Sequence, residues 1–406
     1  MSTMNVLWGI GGIFIVLCIA FLLSSAKKSI KWRTILAGLA IQIMFAFIVL
    51  KWEAGREALT GLSNGVQNLI AYANEGISFV FGPAADTENF GFVFAFQVLT
   101  IIIFFSALIS ILYYLGIMQF FIRIIGGGLS KLLGTSKAES ISAAANIFVG
   151  QTEAPLVIRP FIAKMTKSEL FAVMTGGLAS VSGSVLAGYA LLGVPLEYLL
   201  AASFMAAPAG LILAKIMMPE TEVVDEGNFK LEKDDTAANV IDAAARGASD
   251  GMKLAVNVGA MLLAFIGIIA LLNGLLGGLG SIFGFEGITI QGILGMVFAP
   301  LAFAIGVPWS EAIQAGSYIG QKLVLNEFVA YLSFAPAIAE LSEKTVIVIS
   351  FALCGFANLS SMAILLGGLG SLAPNRRSDI ARLGIRAVAA GMLASLLSAA
   401  IAGMFI

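Results

Sequence analysis

Two short polar strings interrupt stretches of this chain that are otherwise apolar and long enough to enter a membrane. The first is GQTEAP at residues 150–155, and the second is NEFVAY at residues 326–331. Each string contains a carboxylate, which costs roughly 2.5–3.5 kcal/mol at membrane depth on insertion scales. Such a group is rarely kept without a use, so Glu153 and Glu327 are the first candidates for a functional site.

The first string places three kinds of hydrogen-bonding group in a row. Gln151 supplies an amide, Thr152 a hydroxyl and Glu153 a carboxylate, while Glu327 and Asn358 add a second carboxylate and a second amide. This set suits a neutral solute with several donors and acceptors, which must be matched once water is removed. A carboxylate that accepts from two neighbouring hydroxyls also suits a sugar. The alternative is that these groups only satisfy the backbone of a hairpin.

Each polar string is followed by a polar break of small residues within a second apolar stretch. The breaks are SVSGS at residues 180–184 and NLSS at residues 358–361. A polar hairpin followed by a broken helix, used twice, is typical of the mid-membrane site of a solute carrier. Hard oxygen ligands for a cation lie near the first break, at Asn146, Val149, Ser180 and Val181. From the residues alone, a helix break packed by small residues is the stronger interpretation of this second set.

The composition defines the class of protein that must position these groups. Of 406 residues, 59% are hydrophobic and 12% are charged, whereas soluble domains carry about 25% charged residues. With a mean hydropathy of +0.98, the chain is predicted to be an all-α polytopic membrane protein. The net charge of −1 gives no electrostatic basis for binding nucleic acid. Histidine is absent, which excludes histidine-based triads, metal sites and proton relays.

Charge counting between the apolar stretches predicts eight spans and two re-entrant hairpins. Basic residues after the first span place that loop in the cytoplasm, so both termini are expected on the outer side. The predicted spans are residues 6–23, 35–50, 92–122, 170–192, 198–217, 254–276, 346–372 and 388–406, and the hairpins are residues 140–161 and 307–334. Residues 56–81 are predicted to form an amphipathic helix at the outer interface.

This topology divides the chain into four units. Residues 1–91 hold two spans and the interfacial helix, and residues 218–253 form a polar cytoplasmic connection with a surface helix near 237–248. Residues 92–217 and 254–406 repeat the order of span, hairpin, broken span and span with opposite orientation, and residues 277–287 are expected to be a glycine-rich linker. Inverted repeats place substrate at their interface near the bilayer midplane.

Three motifs in order give the chain a family resemblance over nearly its whole length. They are GQTEAPL at residues 150–156, NEFVAY at residues 326–331 and GFANLSS at residues 355–361. With them the chain resembles the concentrative nucleoside transporters, especially the bacterial sodium-coupled branch. The resemblance implies a homotrimer in the bacterial inner membrane. In this arrangement the third and sixth spans form a scaffold, and the hairpins and broken spans form a transport domain that moves as an elevator.

The resemblance also implies a role for each site residue. Gln151 and Thr152 would bind the nucleobase, with Glu153 reaching it through water. Val185 and Phe356 would pack on the base, and Glu327, Asn358 and Ser361 would hold the ribose. The complete substrate set would be Gln151, Thr152, Glu153, Val185, Glu327, Phe356, Asn358 and Ser361. The sodium set would be Asn146, Val149, Ser180 and Val181, with backbone oxygens from the two valines. Val181 departs from the isoleucine expected there.

We therefore expect a sodium–nucleoside symporter whose partners are nucleosides such as uridine, cytidine and adenosine, the lipid bilayer and two further copies of the chain. The nearest alternative is a proton-coupled nucleoside carrier that uses Glu153 or Glu327. An intramembrane enzyme is disfavoured because there is no histidine, no serine–lysine nucleophile pair at a plausible site and no cluster of metal ligands. A channel is disfavoured because it does not need two opposed hairpins.

Overall fold

The computed structural model describes residues 3–86, 91–224, 237–282, 284 and 287–406, and within these ranges the chain is helical with no strands. In the first part of the chain the helices are α1 (Thr3–Leu22), α2 (Trp32–Leu50), α3 (Glu53–Phe81), α4 (Phe94–Tyr114), α5 (Ile117–Leu133), α6 (Lys137–Ala145), α7 (Lys167–Ala179), α8 (Gly183–Leu191) and α9 (Leu196–Met217). In the second part they are α10 (Val240–Ile282), α11 (Ile290–Ala304), α12 (Trp309–Val324), α13 (Glu327–Phe334), α14 (Glu343–Leu353), α15 (Ser361–Leu372) and α16 (Arg377–Ala402).

Seven helices of the described chain are long and apolar enough to cross a membrane. They are α1, α2, α4, the broken pair α7–α8, α9, α10 and the stretch Pro374–Phe405 that contains α16. The remaining predicted span, residues 346–372, consists of the two short helices α14 and α15 with a non-helical segment between them. An eighth candidate is the pair α11–α12, which bends by 116°.

The predicted third span, residues 92–122, is too long. The helix stops at Tyr114, and Gly116 adopts a left-handed conformation with φ of +78° before α5 begins. Glycine takes this conformation without the steric cost of a Cβ atom. Helix α5 packs along α6 and buries one face, so its amphipathic spacing, rather than the length of the apolar run, marks the end of the span.

The predicted surface helix at residues 237–248 and the span at 254–276 are one helix, α10, which also runs through most of the predicted glycine-rich linker. Ion pairs between Asp242 and Arg246 and between Asp250 and Lys253 support its polar end. The glycines of the predicted linker do not end α10, because in an apolar environment the backbone N–H and C=O groups must form hydrogen bonds within the helix. Residues 225–236 of the predicted connection, and residues 283, 285 and 286 of the linker, lie outside the described residues.

Helices α7, α9 and α16 form the centre of the protein, and most of their residues are buried. Helices α1, α2 and α14 pack around them, whereas α4 and α10 pair with each other and keep broad apolar faces exposed. The two halves share one order of elements. The first half runs α4, α5, a hairpin, the broken pair α7–α8 and α9. The second half runs α10, α11, a hairpin, the broken pair α14–α15 and α16. The opposite orientation of the two halves stays a prediction.

Candidate functional site

The first hairpin turns at residues 146–153, between α6 and a short helical descent from Ala154. Ser136 and Glu139 form a capping box that starts α6, and the Ser203 hydroxyl donates to the carbonyl of Ile147 at 3.0 Å. At the tip, the backbone N–H of Gly150 donates to Glu153 Oε2 at 2.6 Å. The tip is therefore held both from α9 and by its own carboxylate, while the Glu153 side chain remains exposed.

The first break separates α7 from α8 at residues 180–182, where the backbone is extended. Its polar groups bond to two other parts of the site. Gly183 N–H donates to the carbonyl of Phe148 in the hairpin at 3.0 Å, and the carbonyl of Ser180 accepts from Phe356 N–H at 3.1 Å. Because Phe356 lies in the second break, one backbone hydrogen bond joins the two broken helices directly.

The second hairpin repeats this construction. Asn326 caps α13 by accepting from Val329 N–H at 2.9 Å, which makes Glu327 the first residue of that helix. In the second break, Leu359 N–H donates to the carbonyl of Leu323 in the hairpin at 3.1 Å. Each hairpin is thus tied by a backbone bond to the broken helix that follows it.

Glu327 is the centre of a buried polar cluster. It is only 5% exposed, its Oε1 accepts from the Tyr189 hydroxyl at 3.2 Å and its Oε2 accepts from Asn358 Nδ2 at 2.9 Å. Asn358 Oδ1 accepts from Ser361 N–H at 2.8 Å and from the Ser360 hydroxyl at 2.7 Å. A carboxylate has about four acceptor positions, so Glu327 keeps capacity for hydroxyl donors of a ligand. The structure brings together Glu327, Asn358 and Ser361, the three residues that the resemblance assigns to the ribose.

The predicted nucleobase residues sit on the first hairpin and beside it. Gln151 is 5% exposed and packs on α7, where a Cβ at Gly177 would lie 2.8 Å from the Gln151 Cβ. Its Oε1 has no hydrogen-bond partner among the described residues, so it is an acceptor that suits the N–H of a bound base. Thr152 packs against Gly368 of α15. No side-chain hydrogen bond in the described ranges joins Gln151 or Thr152 to Glu327.

The two predicted apolar contacts for a base differ in exposure. Val185, on α8, is 1% exposed, and Phe356, in the second break, is half-buried. Val185 lies one helical turn before Tyr189 on the same face of α8, and the Tyr189 hydroxyl reaches Glu327 from that face.

The predicted sodium residues surround the junction of the first hairpin with the first break. Asn146 is 1% exposed, and its Oδ1 has no hydrogen-bond partner in the described part of the chain, while Nδ2 donates to the carbonyl of Ser142. Ser180 and Val181 are buried at the end of α7, and Val149 is buried in the hairpin. A buried oxygen without a donor fits a cation, because an unsatisfied buried acceptor is costly. These residues therefore fit a sodium ion.

Two buried residues of this region, Tyr189 and Lys322, were not among the predicted site residues. Tyr189 is fully buried, with its ring centroid 4.4 Å from that of Tyr331 and 4.7 Å from that of Phe328. Lys322 is also fully buried. The sequence carries signals for both: Tyr189 is i+4 from Val185 in a broken span, and Lys322 is a cation within an apolar hairpin.

Comparisons with known proteins agree with this geometry along the chain. Residues 11–84 match the family model for the N-terminus of Na+ dependent nucleoside transporters, and residues 198–403 match the one for their C-terminus. Residues 95–196 match a model described as a gate for nucleoside recognition. The two matched termini and the gate between them cover nearly all of the elements described above.

Individual proteins match over their full length. The chain is 64% identical to the uncharacterized transporter YutK of Bacillus subtilis, over 99% of this chain and 100% of that one. It is 52% identical to the nucleoside permease NupC of Helicobacter pylori, over 98% of each. A solved structure of CNTnw in an inward-facing substrate-bound state matches with a TM-score of 0.94 and 56% identity, over 99% of this chain and 98% of that one.

The paired hairpins and broken helices, set among membrane-length apolar helices, define a polytopic membrane carrier rather than an enzyme. The chain belongs to the Na+ dependent, concentrative nucleoside transporter family. It is thus a nucleoside transporter, and Na+ is its coupling ion.

Proposed function

We propose that the protein is a symporter that moves uridine-type nucleosides into the cell together with sodium. The observation that carries this proposal is the hydrogen bond between the carbonyl of Ser180 and the N–H of Phe356. Ser180 belongs to the proposed sodium set and Phe356 to the proposed nucleoside set. An ion that orders Ser180 would also order the backbone that carries Phe356, so the two ligands share one structural element.

The roles of the individual residues follow from the groups they present. Gln151 and Thr152 bind the edge of the nucleobase, Glu153 reaches it through water, and Val185 and Phe356 pack on its faces. Glu327, Asn358 and Ser361 hold the ribose hydroxyls. Asn146 and Ser180 bind sodium with side-chain oxygens, and Val149 and Val181 bind it with backbone oxygens. The unpartnered Oδ1 of Asn146 and Oε1 of Gln151 support these two assignments.

We further propose that transport proceeds by an elevator movement in a homotrimer of the bacterial inner membrane, with both termini on the periplasmic side. Helices α4 and α10 would be the scaffold, because they pair with each other and α10 exposes large apolar side chains such as Leu263, Ile266 and Leu271. The hairpins and broken helices around α7, α9 and α16 would move as one body. The extensive burial of these three helices supports a rigid moving unit.

The experiment that tests this function is uptake of radiolabelled uridine by proteoliposomes with an inward sodium gradient, against choline at equal osmolarity. We expect accumulation above equilibrium only in sodium. Equal uptake in both buffers would contradict sodium coupling. No uptake of uridine, with sodium-driven uptake of another nucleoside, would correct the substrate and leave the coupling intact.

The proton-coupled alternative is disfavoured, because the matching family models describe Na+ dependent nucleoside transporters and the relatives include sodium/nucleoside cotransporters. An inward proton gradient in sodium-free vesicles tests this directly, and we expect no accumulation of uridine under those conditions.

A further inference from the structure

Lys322 is a fully buried cation in the second hairpin, near the end of α12. Its Nζ donates to the carbonyl of Ala352 at 2.7 Å and to the hydroxyl of Ser395 at 3.1 Å. Within the described ranges, no carboxylate oxygen lies within 4.0 Å of Nζ. The other buried lysine, Lys215, has Glu139 at 2.6 Å. The carboxylate that interacts electrostatically with Lys322 is that of Glu327, which is not in direct contact with it. A buried charge without a counterion in contact is expensive, so the ammonium of Lys322 requires a functional explanation.

The oxygen ligands of Lys322 are of the kind that binds a small cation. Ala352 lies in the last turn of α14, where carbonyl groups lack partners within the helix and carry the negative end of its dipole. Ser395 adds a hydroxyl from α16, and that hydroxyl itself lies 3.3 Å from the carbonyl of Cys354. One ammonium thus bridges the second hairpin, the end of the first half of the broken helix and α16.

The position of Lys322 in the second half corresponds to that of Asn146 in the first. Asn146 comes five residues before Gln151, and Lys322 comes five residues before Glu327, each at the end of the ascending arm of its hairpin. The backbone bond from Gly183 to Phe148 in the first half has its counterpart in the bond from Leu359 to Leu323 in the second.

Asn146 and Lys322 also face corresponding helices, each the first half of the broken helix that follows its hairpin. Asn146 lies beside Gly176 in the last turns of α7, where a Cβ would come 3.4 Å from Nδ2. Lys322 binds Ala352 in the last turn of α14. The sequence separation between residues 146 and 322 is the same as that between residues 176 and 352 and between residues 183 and 359. The Lys322 ammonium therefore lies in the part of the second half that corresponds to the surroundings of Asn146 in the first, next to the proposed sodium site.

We propose that Lys322 is a resident cation at the second of two equivalent cation sites. It holds the second hairpin against α14 and α16, and thereby positions Glu327 for the nucleoside. Since a covalently attached charge fills this site, only the first site takes an ion, and one sodium is coupled to each nucleoside. Lys322 is a positioning residue, and this inference rests on the sodium set of the proposed function.

The first test is the ratio of fluxes in proteoliposomes that contain the wild-type protein. Uptake of radioactive sodium and of tritiated uridine is measured together under a nucleoside gradient, with protein-free vesicles subtracted. We expect a ratio of about one. A ratio of two would show that a second site binds sodium and would overturn the inference while confirming sodium coupling. Uridine uptake without any sodium flux would instead overturn the proposed function.

The second test separates the charge of Lys322 from its volume. Lys322→Met keeps the volume of the side chain and removes the ammonium, and Lys344→Met is a matched control at a half-buried lysine outside the site. We expect the Lys322 variant to bind uridine about tenfold or more weakly by calorimetry, and the control to bind as the wild type does. Wild-type affinity in Lys322→Met would overturn the inference, whatever the coupling ion.

The third test restores the cation without the covalent bond. Lys322→Ala leaves space for propylammonium, which carries the missing carbons and charge, and propanol is the uncharged control. We expect propylammonium, and not propanol, to restore uridine binding, or to restore folding if the alanine variant elutes as aggregate without it. Equal effects of the two compounds would assign Lys322 a packing role only and would overturn the inference.

Discussion

At the scale of single residues, the proposed nucleoside site depends on Glu327. Its two oxygens accept from Tyr189 and Asn358, and its remaining acceptor capacity is available to the hydroxyls of the proposed substrate. In Glu327→Gln, one oxygen becomes an amide donor and the charge is lost, so hydroxyls of the ribose lose a charged acceptor worth about 1.5–3 kcal/mol for each hydrogen bond. We expect uridine uptake to be abolished while the protein keeps the elution volume of the wild type.

The matched control for that change is Glu340→Gln, because Glu340 is exposed in the turn before α14. This variant should transport normally. Wild-type uptake by Glu327→Gln would remove Glu327 from the binding site and with it the proposed contact to the ribose.

Tyr189 gives a milder and more specific prediction. Tyr189→Phe removes the hydroxyl that donates to Glu327 but keeps the ring against Tyr331 and Phe328. Loss of this one hydrogen bond to a charged group should weaken uridine binding by at most about 1.5–3 kcal/mol. The thermal midpoint of unfolding should not change greatly. Tyr318→Phe, whose hydroxyl accepts from Gln314 away from the site, is the control. Equal affinities in both variants would contradict a role for Tyr189.

The sequence identifies candidate residues that carry a functional group within a polar string, and it does not identify residues that contact them from other helices. Glu327, Asn358 and Ser361 stand in breaks of apolar stretches, so residue type and position identify them, and the structure joins them by hydrogen bonds. Tyr189 has a large ring that suits a core position as well as a site, so its role depends on the contact with Glu327. That contact joins α8 to α13, and no local spacing encodes it.

At the scale of elements, the first hairpin packs closely on α7, and this contact brings the proposed sodium residues next to the proposed nucleoside residues. A Cβ at Gly177 would lie 2.8 Å from the Cβ of Gln151 and 3.7 Å from Asn146 Oδ1. Gly177→Ala therefore forces the hairpin tip away from α7, since backbone and short side chains cannot yield. We expect weaker binding of both sodium and uridine, measured by the concentrations that give half-maximal uptake.

Gly278→Ala in α10 is the control for this change, because a Cβ there meets open space. It should leave both half-maximal concentrations unchanged. If Gly177→Ala changed neither of them, the hairpin tip would not need its contact with α7.

The start of α6, which leads into the first hairpin, is tied to the end of α9 by a buried ion pair. Lys215 on α9 binds Glu139 of α6 at 2.6 Å and lies 3.7 Å from Glu220, with Lys215 8% and Glu139 2% exposed. Lys215→Met leaves the buried Glu139 without its cation, which costs about 3–5 kcal/mol when a buried pair is broken. We expect a clear fall in the thermal midpoint of unfolding in detergent.

The double variant Glu139→Gln with Lys215→Met should recover part of that loss, because it leaves no unpaired buried charge. Lys253→Met, which removes an exposed pair with Asp250, should leave the midpoint unchanged. A single variant as stable as the wild type would show that the pair does not hold the hairpin in place.

The limits of sequence reasoning at this scale lie at the helix ends. An apolar run predicts that a segment enters the membrane, but residues 92–122 do not reveal that the chain turns at Gly116, because the residues beyond it are still apolar. Polar residues and glycines predicted breaks at both ends of α10, although a helix packed along α4 continues through both. Packing between distant elements decides such boundaries, and local composition does not.

At the scale of the whole molecule, the proposed ion and nucleoside sites are joined through the crossing of the two broken helices. The carbonyl of Ser180 accepts from Phe356, and the carbonyl of Phe148 accepts from Gly183, so hairpin, first break and second break form one connected unit. Such a connection predicts a coupling free energy between the ligands, which is typically about 1–3 kcal/mol, or about 5–150-fold in affinity. By thermodynamic necessity, sodium must raise uridine affinity by the same factor as uridine raises sodium affinity.

This reciprocity is the prediction that depends on the molecule as a whole, and two titrations of the purified protein measure it. Uridine binding is titrated in sodium and in choline, and sodium binding is titrated with and without saturating uridine. We expect two equal factors of about fivefold or more. Ser180→Ala removes the side-chain oxygen from the sodium set and keeps the carbonyl that binds Phe356, so it should lower sodium affinity while uridine affinity in choline stays unchanged. Uridine affinity that is the same in sodium and choline would show that the crossing of the two breaks carries no coupling, even if both sites bind their ligands.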